Sequence, residues 1–145
     1  MDDDDNDDTT IKEIVVKEPE APELDLLAPP KYEVRPKLID RFQAAAVKEI
    51  IDQTMRENLT NRTYSGSQAE KWAQAVSNKV RERVNSLSME RYKIIVQVVL
   101  GEMRGAGIKS GLRCLWDSEC DNFTSHTFYS DTIFCNTTVF GVYFY

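Results

Sequence analysis

Hydrophobic residues recur every three or four positions between residues 38 and 55, which is the spacing of one face of an α-helix. Pro36 stands just before them, and proline is favoured as a first helical residue because the N–H that it lacks would be unpaired there. The pattern predicts an amphipathic first helix over residues 37–57. Its apolar positions are Leu38, Ile39, Phe42, Ala46, Val47, Ile50, Ile51 and Met55.

A second amphipathic helix is predicted from Ser67 to about Leu87, after a polar loop over residues 61–66. Ser67 and Glu70 have the S-x-x-E spacing of a capping box, in which side chains satisfy free backbone N–H groups at a helix start. The apolar stripe of this helix consists of Ala69, Trp72, Ala73, Val76, Val80 and Val84.

The pattern changes to that of β-strands after residue 91. Residues 92–100, YKIIVQVVL, are rich in β-branched residues and apolar on both faces, as in a central strand. Three further strand candidates are residues 112–116, 124–129 and 133–145. In the first of them, Leu112, Cys114 and Trp116 share one face. Two helices followed by a run of strands predict an α+β fold with an antiparallel sheet.

Charge and proline content divide the chain near residue 34. Residues 1–33 carry twelve acidic and three basic side chains, whereas residues 34–145 carry twelve acidic and fifteen basic ones. The opening run DDDDNDD has mutually repelling carboxylates and little apolar surface to bury. We therefore expect residues 1–33 to form a disordered acidic tail that either keeps the protein soluble or docks on a basic partner surface. Residues 34–145 are then expected to form one folded domain.

Composition argues against several classes of protein. The N-terminus has no basic segment followed by an apolar one, so we expect no secretory signal and an intracellular protein. The longest apolar run, residues 94–100, is far too short to span a bilayer, so no direct membrane insertion is expected. Basic residues are spread along the predicted helices without interleaved aromatic residues, which argues against nucleic-acid binding. The cysteines, Cys114, Cys120 and Cys135, are expected to stay reduced.

The glycine-rich stretch GEMRGAGIKSG, residues 101–111, contains the residue types of a phosphate-binding loop without their spacing. A Walker A loop needs a glycine directly before Lys-Ser, and Ile108 precedes Lys109 here. A dinucleotide-binding loop needs a third glycine where Ser110 stands, and a helix after it. A strand pattern follows instead, so no helix N-terminus is available to receive phosphate. We interpret the stretch as a bend between two strands.

No metal site, cofactor site or catalytic residue is predicted. The run DSECDN, residues 117–122, lacks the glycine and glutamate that an EF-hand loop needs at its sixth and twelfth positions. Cys114 and Cys120 are six positions apart, and only Cys135 and His126 could complete a zinc site. His126 lies in a predicted strand, and the chain has no GxSxG motif for a serine nucleophile. The remaining enzymatic alternative is a site of carboxylates that lie close together only in space.

Residues 91–145 resemble the C-terminal half of the Tctex-type dynein light chains. The resemblance rests on an ordered set of pieces rather than on one motif. The pieces are Arg91-Tyr92-Lys93 at the start of an apolar strand, Gly105-Ala106-Gly107, Arg113-Cys114-Leu115-Trp116-Asp117, Asp121-Asn122, Phe134-Cys135 and Phe140-Gly141. YEVRPK, residues 32–37, is similar to the start of the first helix in the Tctex-2-like branch, so the resemblance covers about residues 32–145.

The resemblance implies two N-terminal helices packed on a four-stranded antiparallel sheet, in agreement with the predicted order of elements. It also implies a non-catalytic protein and a dimer whose subunits exchange a strand. The residues expected to form the exchanged strand and to bind a partner are Leu112, Arg113, Cys114, Leu115, Trp116 and Asp117. The residues of the exchange loop are Gly105, Ala106 and Gly107.

The resemblance further implies a light chain of an axonemal or ciliary dynein, located in the cytoplasm, on the cytoskeleton and in the axoneme. Its expected partners are a second Tctex-type light chain, in a homodimer or a heterodimer, the dynein intermediate chain and further dynein light chains. Peptide segments are expected to add along the sheet near the dimer interface. The alternative is an adaptor of the same fold that binds the tail of a signalling or membrane protein without any motor.

Overall fold

The computed structural model describes residues 32–105 and 107–145, and the predicted tail lies almost entirely outside this part of the chain. Two helices are followed by three strands. Their bounds are Ala44–Leu59 and Gly66–Asn85 for α1 and α2, and Tyr92–Glu102, Asn122–Tyr129 and Ile133–Tyr143 for β1, β2 and β3. The strands are antiparallel, and β3 lies between β1 and β2. The α+β prediction is confirmed, with two helices packed on a three-stranded antiparallel sheet.

β3 is the central strand, and its side chains alternate between the two faces of the sheet. Its odd-numbered residues face the helices, and Ile133, Cys135, Thr137 and Val139 are fully buried. The helices meet them with fully buried side chains: Val47, Ile51, Met55 and Leu59 from α1, and Val76, Val80 and Val84 from α2. Burial of this apolar inner face is the main driving force for the fold. The opposite face of the sheet is the outer face.

The first helix begins later than the sequence pattern predicts. The prediction places one helix over residues 37–57, but a short 3-10 helix at Leu38–Asp40 is separated from α1. The two apolar residues of that 3-10 helix are 81% and 80% exposed, so they belong to no buried stripe. Phe42 instead turns into the core, and the backbone N–H of Gln43 donates to Sδ of Met89 at 3.3 Å. The buried ring and this hydrogen bond hold the chain out of the helical conformation.

The predicted capping box of the second helix does not form. α2 begins at Gly66, and its N-cap residue Ser65 makes no side-chain capping hydrogen bond. The hydroxyls of Ser65 and Ser67 lie 3.0 Å apart. The backbone oxygen of Ser65 accepts from the N–H groups of Gln68 and Ala69 at 3.0 and 2.9 Å, so backbone bonding alone starts the helix.

A cluster of side chains attaches β2 to α1. Nε2 of His126 lies 3.0 Å from Oδ1 of Asp52, whose two oxygens also accept from Nε of Arg56 at 2.9 and 3.0 Å. The hydrogen bond from Arg56 lowers the pKa of Asp52, and His126 contributes to the same effect. His126 is a half-buried strand residue, as predicted, and its contact joins a strand to a helix.

Two strand predictions differ from the structure. Residues 112–116, predicted as a strand, pair with no strand in the described part of the chain, so the sheet has three strands rather than four. Residues 92–100 have the composition of a central strand, yet β1 lies at an edge with β3 as its neighbour. In the described residues, these two segments therefore do not have the neighbours that their sequence patterns predict.

Gly141 has a packing role on the inner face of β3. A Cβ atom at this position would overlap the ring of Phe42. The ring of Phe42 also lies beside that of Tyr92, with centroids 6.3 Å apart. The missing side chain of Gly141 therefore lets Phe42 close one end of the core.

Gly141→Ala is expected to destabilise the protein by about 1–3 kcal/mol, because an added methyl group in a packed core forces its neighbours to shift. Gly66→Ala is the matched control, since a Cβ there meets no atom within 4 Å. Urea unfolding followed by far-UV circular dichroism measures both variants. Equal unfolding midpoints would contradict the packing role of Gly141.

Candidate functional site: the outer face of the sheet

Odd-numbered residues of β2 and even-numbered residues of β3 form most of the outer face. Their pairs are Phe123–Phe140, Ser125–Thr138, Thr127–Asn136 and Tyr129–Phe134. On the other side of β3, the corresponding residues of β1 are Ile95, Gln97, Val99 and Gly101. The outer face therefore has aromatic residues at both ends and polar residues between them.

A hydrogen-bond network joins the polar residues at the centre of the outer face. Nδ2 of Asn136 donates to Oγ of Ser125 at 3.1 Å and to Oγ1 of Thr127 at 2.8 Å. The hydroxyl of Thr138 donates to Ser125 at 3.1 Å and lies 3.3 Å from Oδ1 of Asn136. Because these side chains satisfy one another, a second surface can cover them without leaving polar groups unpaired.

Aromatic rings occupy both ends of the outer face. The ring of Trp116 lies with its centroid 6.1 Å from that of Phe123 and 6.2 Å from that of Phe140. At the opposite end, the ring of Phe134 lies over Gly101, where a Cβ would come within 2.5 Å of it. Gly101 was interpreted from the sequence as part of a bend, but it lies within β1 and makes room for an aromatic ring.

The connection between β1 and β2 turns alternate side chains toward the outer face. These side chains line a groove of about 550 Å³ and belong to Ile108, Ser110, Leu112, Cys114 and Trp116. A period of two is the period of a β-strand, although no strand in the described residues pairs with this segment.

Asp117 attaches the end of this segment to the turn that precedes β2. Its Oδ1 accepts from the N–H of Glu119 at 2.9 Å, and its Oδ2 accepts from the hydroxyl of Tyr145 at 3.2 Å. Its own N–H donates to Oδ2 of Asp121 at 2.9 Å, and Oδ1 of Asp121 accepts from the N–H of Tyr143 at 2.8 Å. The hydrogen bond from Glu119 lowers the pKa of Asp117, and the bond to Asp117 raises the pKa of Tyr145. The segment is therefore fixed at its C-terminal end to the end of β3.

The structure divides the predicted strand-exchange residues. Leu112, Cys114 and Trp116 line the groove, whereas Arg113 and Leu115 do not. Leu115 is 98% exposed and Trp116 is half-buried, so an apolar side chain is left on each side of the segment.

Of the predicted exchange loop, Gly105 has φ of 65°, in the left-handed region that favours glycine. Gly107 has open space around it, and Ala106 lies outside the described residues.

The sequence reasoning missed the polar centre of the outer face. The alternation of residues in FTSHTFY and FCNTTVF could have indicated this polar centre, because it places Asn136 and Thr138 on one face of a strand.

No three histidine, cysteine or carboxylate side chains in the described part of the chain could hold a metal ion together. Cys120 and Cys135 are buried, and burial raises the pKa of both thiols, to about 11 for Cys135. These thiols are protonated at neutral pH and are poor nucleophiles. None of the helices in the described residues is long and apolar enough to cross a bilayer.

Comparison with known proteins agrees with the resemblance seen in the sequence. Residues 41–142 match the model of the Tctex-1 family. The chain is 35% identical to Dynein light chain Tctex-type protein 2B of Danio rerio over 114 residues. These 114 aligned residues cover 79% of this chain and 76% of that protein. The protein of the same name from Homo sapiens is 35% identical over 79% of this chain and 80% of its own length. Dynein light chain Tctex-type 4 of Mus musculus is 33% identical over 79% of this chain and 52% of its own length.

The chain is a two-helix, three-stranded α+β protein with an aromatic outer face and a segment, residues 108–116, that pairs with no strand in the described residues. The chain belongs to the Tctex-1 family of dynein light chains, which is a non-catalytic family. The prediction that the protein is not an enzyme is therefore confirmed by its family.

Asp117→Asn is expected to lower stability at neutral pH and to have no effect in strong acid. Because the folded-state pKa of Asp117 is lowered, its ionised form stabilises the fold above the ordinary aspartate pKa of about 4. This contribution is lost as pH falls through the lowered value. The difference in Tm between the unsubstituted protein and the Asp117→Asn variant should shrink toward zero as the pH is lowered from about 7 to about 2. Tyr145 should also titrate at a lower pH in the variant. A Tm difference that is constant across this range would contradict the assignment.

Proposed function

We propose that the protein is a non-catalytic light chain of an axonemal or ciliary dynein. It dimerises with a Tctex-type chain by strand exchange and binds the dynein intermediate chain, thereby supporting assembly of the motor. The observation that carries this proposal is the extended segment at residues 112–116, which crosses an aromatic outer face without a strand partner of its own.

The outer face has the composition of a protein interface. Its aromatic ends offer a large apolar area, and the polar side chains at its centre hydrogen-bond to one another. Burial against a second sheet would therefore leave few polar groups unpaired. Phe123 is 53% exposed and Tyr129 is 67% exposed in the single chain. A second subunit would remove this apolar surface from water, which favours association.

The free edge of β2 is suited to receive the exchanged strand. The N–H of Ser130 donates to the oxygen of Ile133 at 2.8 Å, one step beyond the Tyr129–Phe134 pair. Alternation from this bonded pair directs the N–H and C=O groups of odd-numbered β2 residues away from β3. Residues 112–116 of a second subunit could pair there and add the fourth strand of the sheet. In the same arrangement, Gly105 supports the exchange loop with its left-handed φ.

Membership of the family, whose relatives are named dynein light chains, supports the proposed partners. We propose a second Tctex-type chain, in a homodimer or heterodimer, and the dynein intermediate chain as direct partners, with further dynein light chains in the same assembly. The proposed location is the cytoplasm and cytoskeleton, including the outer dynein arms of the axoneme. We further propose that residues 1–33 are a separate acidic tail, which either docks on a basic partner surface or keeps the protein soluble.

An adaptor function without a motor would use the same surface. Sedimentation separates the two functions: a dynein subunit sediments with axonemal dynein after salt extraction, and a motor-independent adaptor does not.

Trp116→Ala is expected to weaken dimerisation by roughly 30-fold or more in Kd, since buried aromatic residues at interface centres typically contribute 2 kcal/mol or more. Recovery of the dynein intermediate chain with the tagged protein from ciliated cells should fall in parallel. Ile39→Ser is the control, because Ile39 is exposed on the 3-10 helix and lies outside the groove. Analytical ultracentrifugation measures the dimer. The proposal is wrong if the unsubstituted protein recovers neither an intermediate chain nor a second light chain.

Cys114 provides a second test of strand exchange. Its thiol is exposed in the single chain and lines the groove, whereas Cys120 and Cys135 are buried. Alkylation of dilute native protein should therefore modify Cys114 alone. Raising the protein concentration above the dimerisation Kd should slow this reaction at least tenfold, because the groove becomes covered. Labelling of Cys114 at the same rate in monomer and dimer would argue against an exchanged segment at this position.

A further inference from the structure

The turn at residues 117–121, which follows the segment at residues 112–116, is closed by its own hydrogen bonds. The N–H groups of Cys120 and Asp121 donate to the oxygen of Asp117 at 3.2 and 2.8 Å. The N–H of Asp117 donates in turn to Oδ2 of Asp121 at 2.9 Å. Because adjacent Cα atoms are only about 3.8 Å apart, movement of the segment to another subunit would also pull on Asp117 and on these bonds.

A part of the chain that is distant in sequence holds the same turn. It consists of residues 32–35, which we call the N-terminal strap. The guanidinium of Arg35 forms an ion pair with the carboxylate of Glu119. The thiol of Cys120 donates to the oxygen of Val34 at 3.8 Å, although the two residues are 86 positions apart. Two successive residues of the turn are therefore bound to the strap.

The strap is also attached to the end of β3. The hydroxyl of Tyr143 donates to the oxygen of Glu33 at 3.2 Å. The ring of Tyr32 lies with its centroid 5.8 Å from that of Tyr145. Pro36, which follows the strap, is buried and so fixes its C-terminal end. The strap therefore links the turn to the central strand of the sheet.

The ion pair of the strap is weak enough to open while the core stays folded. The side chains of Arg35 and Glu119 are both more than half exposed, and an exposed ion pair typically contributes no more than a factor of about five to an equilibrium constant. The other end of the turn has a buried support, since the hydroxyl of Tyr92 donates to the oxygen of Cys120 at 2.7 Å. Opening of the ion pair therefore loosens the end of the turn that lies next to residues 112–116.

We propose that the N-terminal strap controls strand exchange: it holds the turn at residues 117–121 closed in the single chain and releases it before residues 112–116 move to another subunit. The inference rests on the proposed function, because it assigns a control to the strand exchange proposed there. Arg35 and Glu119 do not line the groove, so their effect on exchange acts through the turn.

Subunit mixing measures this effect in the full chain. Isotope-labelled and unlabelled dimers are combined, and native mass spectrometry follows the appearance of mixed dimers. Arg35→Glu and Glu119→Arg should each speed mixing by up to about fivefold, and the double variant should restore the original rate because it rebuilds the ion pair in reverse. Lys37→Glu is the matched control, since it makes the same change of charge at an exposed position beyond Pro36. Unchanged rates in both single variants would overturn the proposal.

Hydrogen exchange measures closure of the turn in the dilute single chain. The amides of Cys120 and Asp121 should exchange severalfold faster in Arg35→Glu than in the unsubstituted chain. The amides of α1 should be unchanged, because their exchange requires a wider opening of the fold. Equal exchange of the two turn amides in both proteins would contradict the role of the strap.

A removable cross-link tests whether the strap has to open. Arg35→Cys and Glu119→Cys are joined in the dilute chain by a bismaleimide that contains a disulfide, after Cys114→Ser has removed the exposed natural thiol. The cross-linked chain should stay monomeric when it is concentrated, and reduction of the linker should let dimers form. Dimerisation of the cross-linked chain at the rate of the reduced chain would overturn the proposal.

These outcomes separate the strap from strand exchange itself. An unsubstituted chain that remains monomeric at every concentration contradicts the proposed strand exchange and, with it, the control by the strap. Dimers that form normally but mix at one rate with and without the ion pair contradict the control by the strap alone.

Discussion

The antiparallel pairing of β3 with both of its neighbours is the constraint on which the rest of the structure depends. Because side chains alternate along β3, its register with β1 and β2 decides which residues meet the helices and which form the outer face. A slip of one residue would move Val139 outward and turn Phe140 toward the helix side of the sheet. The buried row at Ile133, Cys135 and Thr137 prevents that slip, so the helical core also fixes the geometry of the binding surface.

Much of this arrangement follows from local sequence. The predicted apolar stripes begin at Leu38 and Ala69, and each correctly identifies a buried helix face, because amphipathic periodicity depends on the burial of one face. The first two residues of the earlier stripe, Leu38 and Ile39, are exposed instead. The α+β class follows from the order of the elements, and three of the four predicted strands are present. The start of the first helix was wrong because Phe42 packs against Gly141, a contact between residues about 100 positions apart that no local pattern reports.

The candidate site was predictable in part. The alternation of Leu112, Cys114 and Trp116 is a local property, and these residues do share the groove. The stacking of Trp116 on Phe123 and Phe140 depends on where the sheet brings distant residues together. The position of Gly101 beneath Phe134 depends on the register of β1 with β3, so the sequence alone gave it the wrong role. Residues 112–116 have the pattern of a strand and residues 92–100 that of a central strand, whereas in the described residues the first segment is unpaired and β1 lies at an edge of the sheet.

The contact of Trp116 with its own sheet has a consequence for the timing of assembly. A single chain already shelters this ring against Phe123 and Phe140, and Asp117 holds the adjoining turn. In the strand exchange that we propose, a chain that gives its segment to another subunit would first break these contacts, and the dimer would break the equivalent ones before it separates. Such a barrier would slow formation and dissociation alike. Pairs of such chains made early in the life of the protein would then persist, and their composition would reflect which chains were synthesised together rather than which pair binds most tightly.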